Sequence, residues 1–251
     1  MNTFKRLMTL LLSNFLLSSA HADDIYLAVA TNFMAAMKEI VIKFEQTHEH
    51  KVISSYGSSG KIYAQIKHGA PFQLFLSADQ TKPKILEQEG FTVSGSRFTY
   101  AIGALALWSF KPNFVVNDFS RLQNNSFNKL ALANPKLAPY GVAALEVLDA
   151  LKLREKTKSK WVQGENIAQT YQFIATGNAD LGFVALSQIM DKGHIQAGSS
   201  FIIPRALYSP IRQDAVLLKR AKNSAGAKAL HDYIKSAQAK SIIHAFGYQT
   251  E

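Results

Sequence analysis

The chain has 251 residues, 47% of them hydrophobic, no cysteine, and a formal charge of +10. The absent cysteines exclude a disulfide framework and any thiolate metal site, so core burial has to supply the stability. The basic residues are scattered, Lys152, Arg154, Lys156, Lys158 and Lys160 forming the one dense run, and no recognition-helix or aromatic-strand pattern accompanies them, which argues against a nucleic-acid partner.

In chain order, residues 1–22 read as a signal peptide. Lys5 and Arg6 form the basic region, Leu7 to Leu17 the apolar stretch, and Ala20-His21-Ala22 a small-x-small cleavage site. The mature chain is expected to start at Asp23 after cleavage behind Ala22, exported and periplasmic. Its length, about 230 residues, suits one large domain or two lobes of roughly 100 residues each.

Strand and helix patterns then alternate. A strand over 25–30 precedes a helix over 33–44, whose apolar residues Phe33, Met37, Ile40, Val41 and Phe44 recur at helical spacing. A strand over 52–56, a helix over 61–68 and a strand over 73–76 follow, then a helix over 81–88 stopped by Gly90. Residues 100–110 read as one long strand. A second series follows: strand 130–133, helix 141–153, strand 161–162, helix 167–176 and strand 181–185. Another strand pattern covers 201–204, a long one 214–218, and helices 225–234 and 237–245 end the chain. Such βαβ alternation predicts an α/β fold of mostly parallel sheets flanked by helices.

The long strands near 100–108 and 211–218 bracket the middle section and read as paired crossovers between two lobes. Lobe 1 would hold 23–103 plus 209–251, lobe 2 104–208, with the ligand in the interlobe cleft. A single continuous Rossmann-like domain is the alternative.

Short uncharged segments open several helices: Ala-Thr-Asn-Phe (30–33), Tyr-Gly-Ser-Ser-Gly-Lys (56–61), Pro-Tyr-Gly (139–141) and Glu-Asn-Ile (165–167). A helix start presents unpaired N–H groups and the positive end of a dipole. Asn and Ser there also serve as ordinary caps, a role compatible with facing a ligand. Neutral donors select an anion by size and by its number of accepting oxygens, and disfavour one whose O–H needs an acceptor. Fully ionised tetrahedral dianions are the expected ligands. Residues 57–61 lack the full phosphate-loop spacing, and Ser59 as a nucleophile would need a His base and a Gly-x-Ser-x-Gly elbow that the chain misses by one residue. His48-Glu49-His50 reads as a solvated loop rather than a zinc site.

The stretches IYLAVATNF (25–33), SSYGSSG (54–60), GAP (69–71), LFLSADQ (74–80), ANPKLAPYG (133–141), GENI (164–167) and GFV (182–184) together resemble the periplasmic molybdate-binding proteins, the substrate-binding components of ABC-type molybdate or tungstate importers. The resemblance spans the mature chain and implies a type II-like, two-lobed periplasmic binding protein. It implies no enzymatic activity, catalytic residue, cofactor or metal beyond the oxyanion, and its partner would be an inner-membrane ABC permease with its ATPase. The protein would act as a monomer. Carried residue by residue, the family's oxyanion contacts fall on Asn32, Ser59, Tyr140 and Ile167, with Thr31 added and Ser58 and Asn166 in supporting positions. Many members have Ser at Asn32, Ala at Tyr140, Asp at Gln73, and a Tyr ligand where this chain has Ala185; Tyr140 is a candidate to replace that Tyr. Sulfate or another tetrahedral oxyanion is the alternative ligand, and an exported Ser hydrolase the alternative class.

Overall fold

A computed structural model describes residues 23–116 and 118–251, so the expected signal peptide lies outside the described residues. The long strands form two five-stranded sheets. The first has the order β2-β1-β3-β12-β4, with β1 Asp24–Ala30, β2 Lys51–Gly57, β3 Leu74–Leu76, β4 Phe98–Gly103 and β12 Ile211–Leu217. The second has the order β11-β5-β8-β6-β7, with β5 Leu105–Ser109, β6 Leu130–Ala133, β7 Trp161–Gly164, β8 Leu181–Ala185 and β11 Ser199–Ile202.

Three neighbouring strands of each sheet are parallel, β2-β1-β3 in one and β7-β6-β8 in the other. A reversed strand, β12 or β5, continues each sheet, and the outer strand pairs antiparallel to it. The two lobes therefore share one strand order although the sequence contains no repeat. The reversed strands are the ones the chain enters on crossing from the other lobe.

The expected single strand over 100–110 is two strands, split at Ala104 and hydrogen-bonded into different sheets. An apolar run reads alike on both sides of the crossing because its residues are buried in both lobes. A small hairpin, β9 Met190–Asp191 and β10 His194–Ile195, has no alternating pattern to announce it.

The helices are α1 Met34–Glu45, α2 Ser59–Lys67, α3 Thr81–Gln88, α4 Ser120–Gln123, α5 Pro139–Ala150, α6 Arg154–Lys158, α7 Ile167–Ala175, α8 Ala225–Ile234 and α9 Ala237–Ala245. Their starts follow local chemistry. The side chains of Ser58, Asn166, Ser224 and Ser236 each accept the backbone N–H three residues on, holding α2, α7, α8 and α9. Pro139 opens α5, where its missing N–H costs nothing. The first lobe packs Leu27, Val29, Phe33, Met37, Ile40 and Phe44 against Leu230 and Ile243, and the second packs Leu105, Leu107, Leu132, Val147 and Phe183. Each such buried side chain contributes roughly 1.5–3 kcal/mol, which fixes the strand ends where the two lobes meet.

Candidate functional site

The carboxyl ends of the parallel strands of both sheets face each other. Between them lies a small hollow, lined by residues 30–32, 57–59 and 78 from the first lobe and by 138–140 and 167 from the second. Thr31, Asn32, Ser58, Ser59, Tyr140 and Ile167 thus come together at one place, and Asn166 adjoins it as the cap of α7. None of the lining side chains is a carboxylate, an ammonium, a guanidinium or an imidazole. The lining phenol, Tyr140, is pushed well above its ordinary pKa, first by burial and then by the neighbouring Tyr248 and Tyr100, so it too is neutral.

The shared strand order makes the donors correspond. Strands β2 and β7 end in Gly57 and Gly164, and the caps Ser58 and Asn166 follow, α2 then starting at Ser59 and α7 at Ile167. Each helix start leaves its first N–H groups without intrahelical partners, and both starts line the hollow. Strand β1 runs into a 3-10 turn at Thr31–Phe33, and β6 leads through a loop to α5, where Tyr140 is the second helical residue. Dipoles and free N–H groups from both lobes converge on a space that excludes fixed charge, an arrangement suited to an anion.

Side chains refine this frame. The Ser59 hydroxyl accepts the Ala78 N–H at 2.9 Å, which leaves its own O–H to donate. Asn32 behaves differently: its Nδ2 donates to Gln213 Oε1 at 2.7 Å and to Tyr248 OH at 3.0 Å. Both N–H bonds of that amide are engaged inside the protein, so the turn at 31–33 offers the hollow its backbone N–H groups. The Tyr140 phenol oxygen accepts Gln213 Nε2 at 3.3 Å and lies against Gly103, where a Cβ would fall 2.1 Å away. Gln188 braces the start of α7 by accepting the Ala185 N–H at 3.0 Å and donating to Ile167 O at 2.9 Å.

Beyond Ala185, which stands where the resemblance leads one to expect a Tyr, the next turn supplies Ser187. Its Oγ donates to Asn32 O at 2.8 Å and lies 2.8 Å from Tyr248 OH, which in turn receives the Asn32 amide. A closed chain of hydrogen bonds thus joins the end of β8, the C-terminal tail and the first loop. At the opposite edge, the Gly60 N–H donates to Leu137 O at 2.9 Å and Lys61 pairs with Glu165 at 2.8 Å, so the walls touch there as well.

Gln213, Tyr248, Ser187 and Gln188 are the residues that sequence reasoning missed. One signal was visible: Gln213-Asp214 is a polar pair directly before the apolar end of β12 and, unlike exposed Arg212, is buried with it. Other motifs fall away from the hollow. His48 stacks on Phe44 at 4.3 Å, and His50 Nδ1 accepts the Asp23 N–H at 3.1 Å. In the basic run, Arg154 pairs with Asp149, while Lys156 and Lys160 donate to carbonyls of residues 123, 125 and 127.

Known proteins place the chain. The model of the bacterial extracellular solute-binding protein family matches residues 25–249. The molybdate-binding protein of Azotobacter vinelandii is 52% identical over 246 residues, covering 98% of each chain. That of Rhodobacter capsulatus is 47% identical over 232 residues, 92% of this chain and 90% of the other. The solved periplasmic molybdate-binding protein of Azotobacter vinelandii superposes with a TM-score of 0.88 at 40% identity, covering 90% of this chain and 99% of its own. The two-lobed fold, the motif spacing and these matches agree: the chain belongs to the bacterial extracellular solute-binding proteins, in the family of the molybdate-binding proteins.

Proposed function

We propose that the protein captures molybdate or tungstate in the periplasm and delivers it to an ABC permease driven by a separate ATPase. The observation that carries this reading is the neutral hollow where helix starts of both lobes converge. In it the anion is held by backbone N–H groups at Thr31, Asn32, Ser59, Tyr140 and Ile167 and by the Ser59 hydroxyl, with Ser58 and Asn166 capping the helices behind. Bonds from N–H to an oxyanion are charge-assisted, and several fixed donors offset the loss of the dianion's water. Phosphate near neutral pH carries a proton that requires an acceptor, so donors alone disfavour it.

The lobes of this reading are residues 23–103 with 209–251, and 104–208. The anion stabilises their closed arrangement through its simultaneous contacts with both walls. Both walls come from one polypeptide, so a monomer suffices. Export by a signal peptide cleaved after Ala22 completes the reading.

Calorimetric titration with molybdate, tungstate, sulfate and phosphate tests it. Tight molybdate and tungstate binding that sulfate and phosphate do not displace is the expected result. Equal affinity for sulfate would move the protein to a general tetrahedral-oxyanion carrier, and no binding of any of the four would overturn the assignment.

A further inference from the structure

Gln213 is completely buried in β12, the reversed strand of the first sheet. Pairing of β12 with β4 slips between Gln213 and Asp214, where Tyr100 of β4 is the extra residue, and both successive polar side chains are fully buried. Asp214 is satisfied on its own side by Arg97 at 2.7 Å, Thr99 at 2.8 Å and Gln80 at 3.1 Å. Gln213 turns the other way. Its Oε1 accepts from Asn32 at 2.7 Å and from Tyr100 OH at 3.0 Å, while its Nε2 donates to Tyr140 OH at 3.3 Å.

One amide therefore holds a residue from each wall of the hollow. A carboxylate of the same length could accept from Asn32 but would hold Tyr140 only if the phenol reversed to donate, and an apolar chain could hold neither. We propose that Gln213 is a positioning residue of the anion site, orienting the first loop through Asn32 and the start of α5 through Tyr140 so that the donors of both lobes align together. This inference rests on the proposed oxyanion binding. Gln213 does not line the hollow; its effect runs through Asn32 and Tyr140, two of the three residues it holds.

The test is a double-substitution cycle read by calorimetric titration with molybdate and with sulfate, using wild type, Gln213→Met, Tyr140→Phe and the pair. Gln213→Met is expected to weaken molybdate binding about 10-fold, the scale of one misaligned bond to a charged ligand. Tyr140→Phe added to Gln213→Met should cost little more, since both remove one link. The ratio of molybdate to sulfate affinity should fall in both, a change that simple loss of fold stability does not produce. Wild-type affinity in a folded Gln213→Met protein, or strictly additive effects with an unchanged ratio, would overturn the positioning role. If Gln213→Met fails to fold, Gln213→Glu, which keeps length and the accepting arm, carries the comparison. A larger loss than about 10-fold is then expected from the added charge, and unchanged affinity overturns the proposal. Wild-type protein that binds neither molybdate nor tungstate would refute the proposed function instead, which separates the two failures.

Discussion

The two lobes use one strand order to build unlike walls. In the first, α2 opens with Ser59, which brings both an N–H and a hydroxyl to the hollow; in the second, the corresponding α7 opens with Ile167, which brings an N–H alone. The strand ends differ in the same sense. A Cβ on Gly57 would meet Cγ1 of the Ile62 side chain at 3.3 Å, whereas one on Gly164 would meet Thr170 N at 2.7 Å and Asn166 O at 2.9 Å. Side chains can adjust and backbone cannot. The first wall therefore adds a replaceable side-chain group, the Ser59 hydroxyl, to its main chain, whereas the second relies on main chain alone, which only a change of backbone position can disturb.

The largest expected effect exploits that contrast. Gly164→Ala forces α7 to shift and should weaken molybdate binding by about 100-fold or more, on the scale of two displaced bonds to a charged ligand. Gly57→Ala should stay within about 3-fold, because its Cβ meets one side chain, which has to give by a few tenths of an ångström, and no backbone atom. Titration of the two variants side by side measures the difference, and equal losses would erase the distinction between the walls.

Much of this architecture was legible in the sequence. The helices over 81–88, 225–234 and 237–245 end where periodicity and stop signals place them, and the cap residues Ser58 and Asn166 mark the two helix starts that face the hollow. The residues that line the hollow were legible because helix starts after parallel strands have a local signature. The links between lobes were not, since they join positions far apart in the chain: Asn32 and Ser187 are separated by 155 residues, Tyr140 and Gln213 by 73. The crossing at Ala104 was hidden for a related reason. Periodicity reports burial, and burial does not change where a strand leaves one sheet for another.

The next comparison is between the first helical residues themselves. Ser59→Ala removes the hydroxyl that the proposed site directs at the anion and leaves the Ala78 N–H without its acceptor, so binding should weaken by about 10- to 100-fold. Ile167→Ala removes buried hydrocarbon but no donor. It should cost about 2–4 kcal/mol of stability in denaturant unfolding while changing molybdate affinity by less than about 5-fold. Opposite patterns in affinity and stability for two equivalent positions would sharpen the contrast. A loss of affinity for Ile167→Ala as large as for Ser59→Ala would break it.

The buried phenols of Tyr100, Tyr140 and Tyr248 beside the hollow form a third region, neutral and enclosed. Tyr248 is pushed up to about 12, by burial foremost, and burial raises Tyr100 and Tyr140 as well. An unfolded tyrosine ionises near pH 10, whereas the folded groups stay protonated to higher pH. The stabilisation from these phenols is thus complete below about pH 10 and is lost as pH rises towards 12, on the order of 2 kcal/mol for Tyr248. Unfolding curves between pH 8 and 11.5 should steepen their decline above about pH 10, and Tyr248→Phe should flatten it. An identical decline in Tyr248→Phe would show that this phenol ionises freely in the folded protein.

At the mouth, opposite this neutral network, the lobes touch through an exposed ion pair. Lys61 and Glu165 approach to 2.8 Å, but their side chains keep 55% and 44% of their surface in water. Solvent and the cost of ordering two long chains leave such a pair worth about 0.2–1 kcal/mol. Its attraction also fades as ionic strength shortens the reach of charge. Lys61→Ala should therefore weaken molybdate binding by less than about 5-fold, with the difference from wild type shrinking as salt rises from about 20 to 500 mM. The neighbouring bond from Gly60 N–H to Leu137 O is main chain on both sides and survives that substitution. A loss that equals that of Ser59→Ala and persists at high salt would make the ion pair, rather than the neutral donors, the element that closes the two walls.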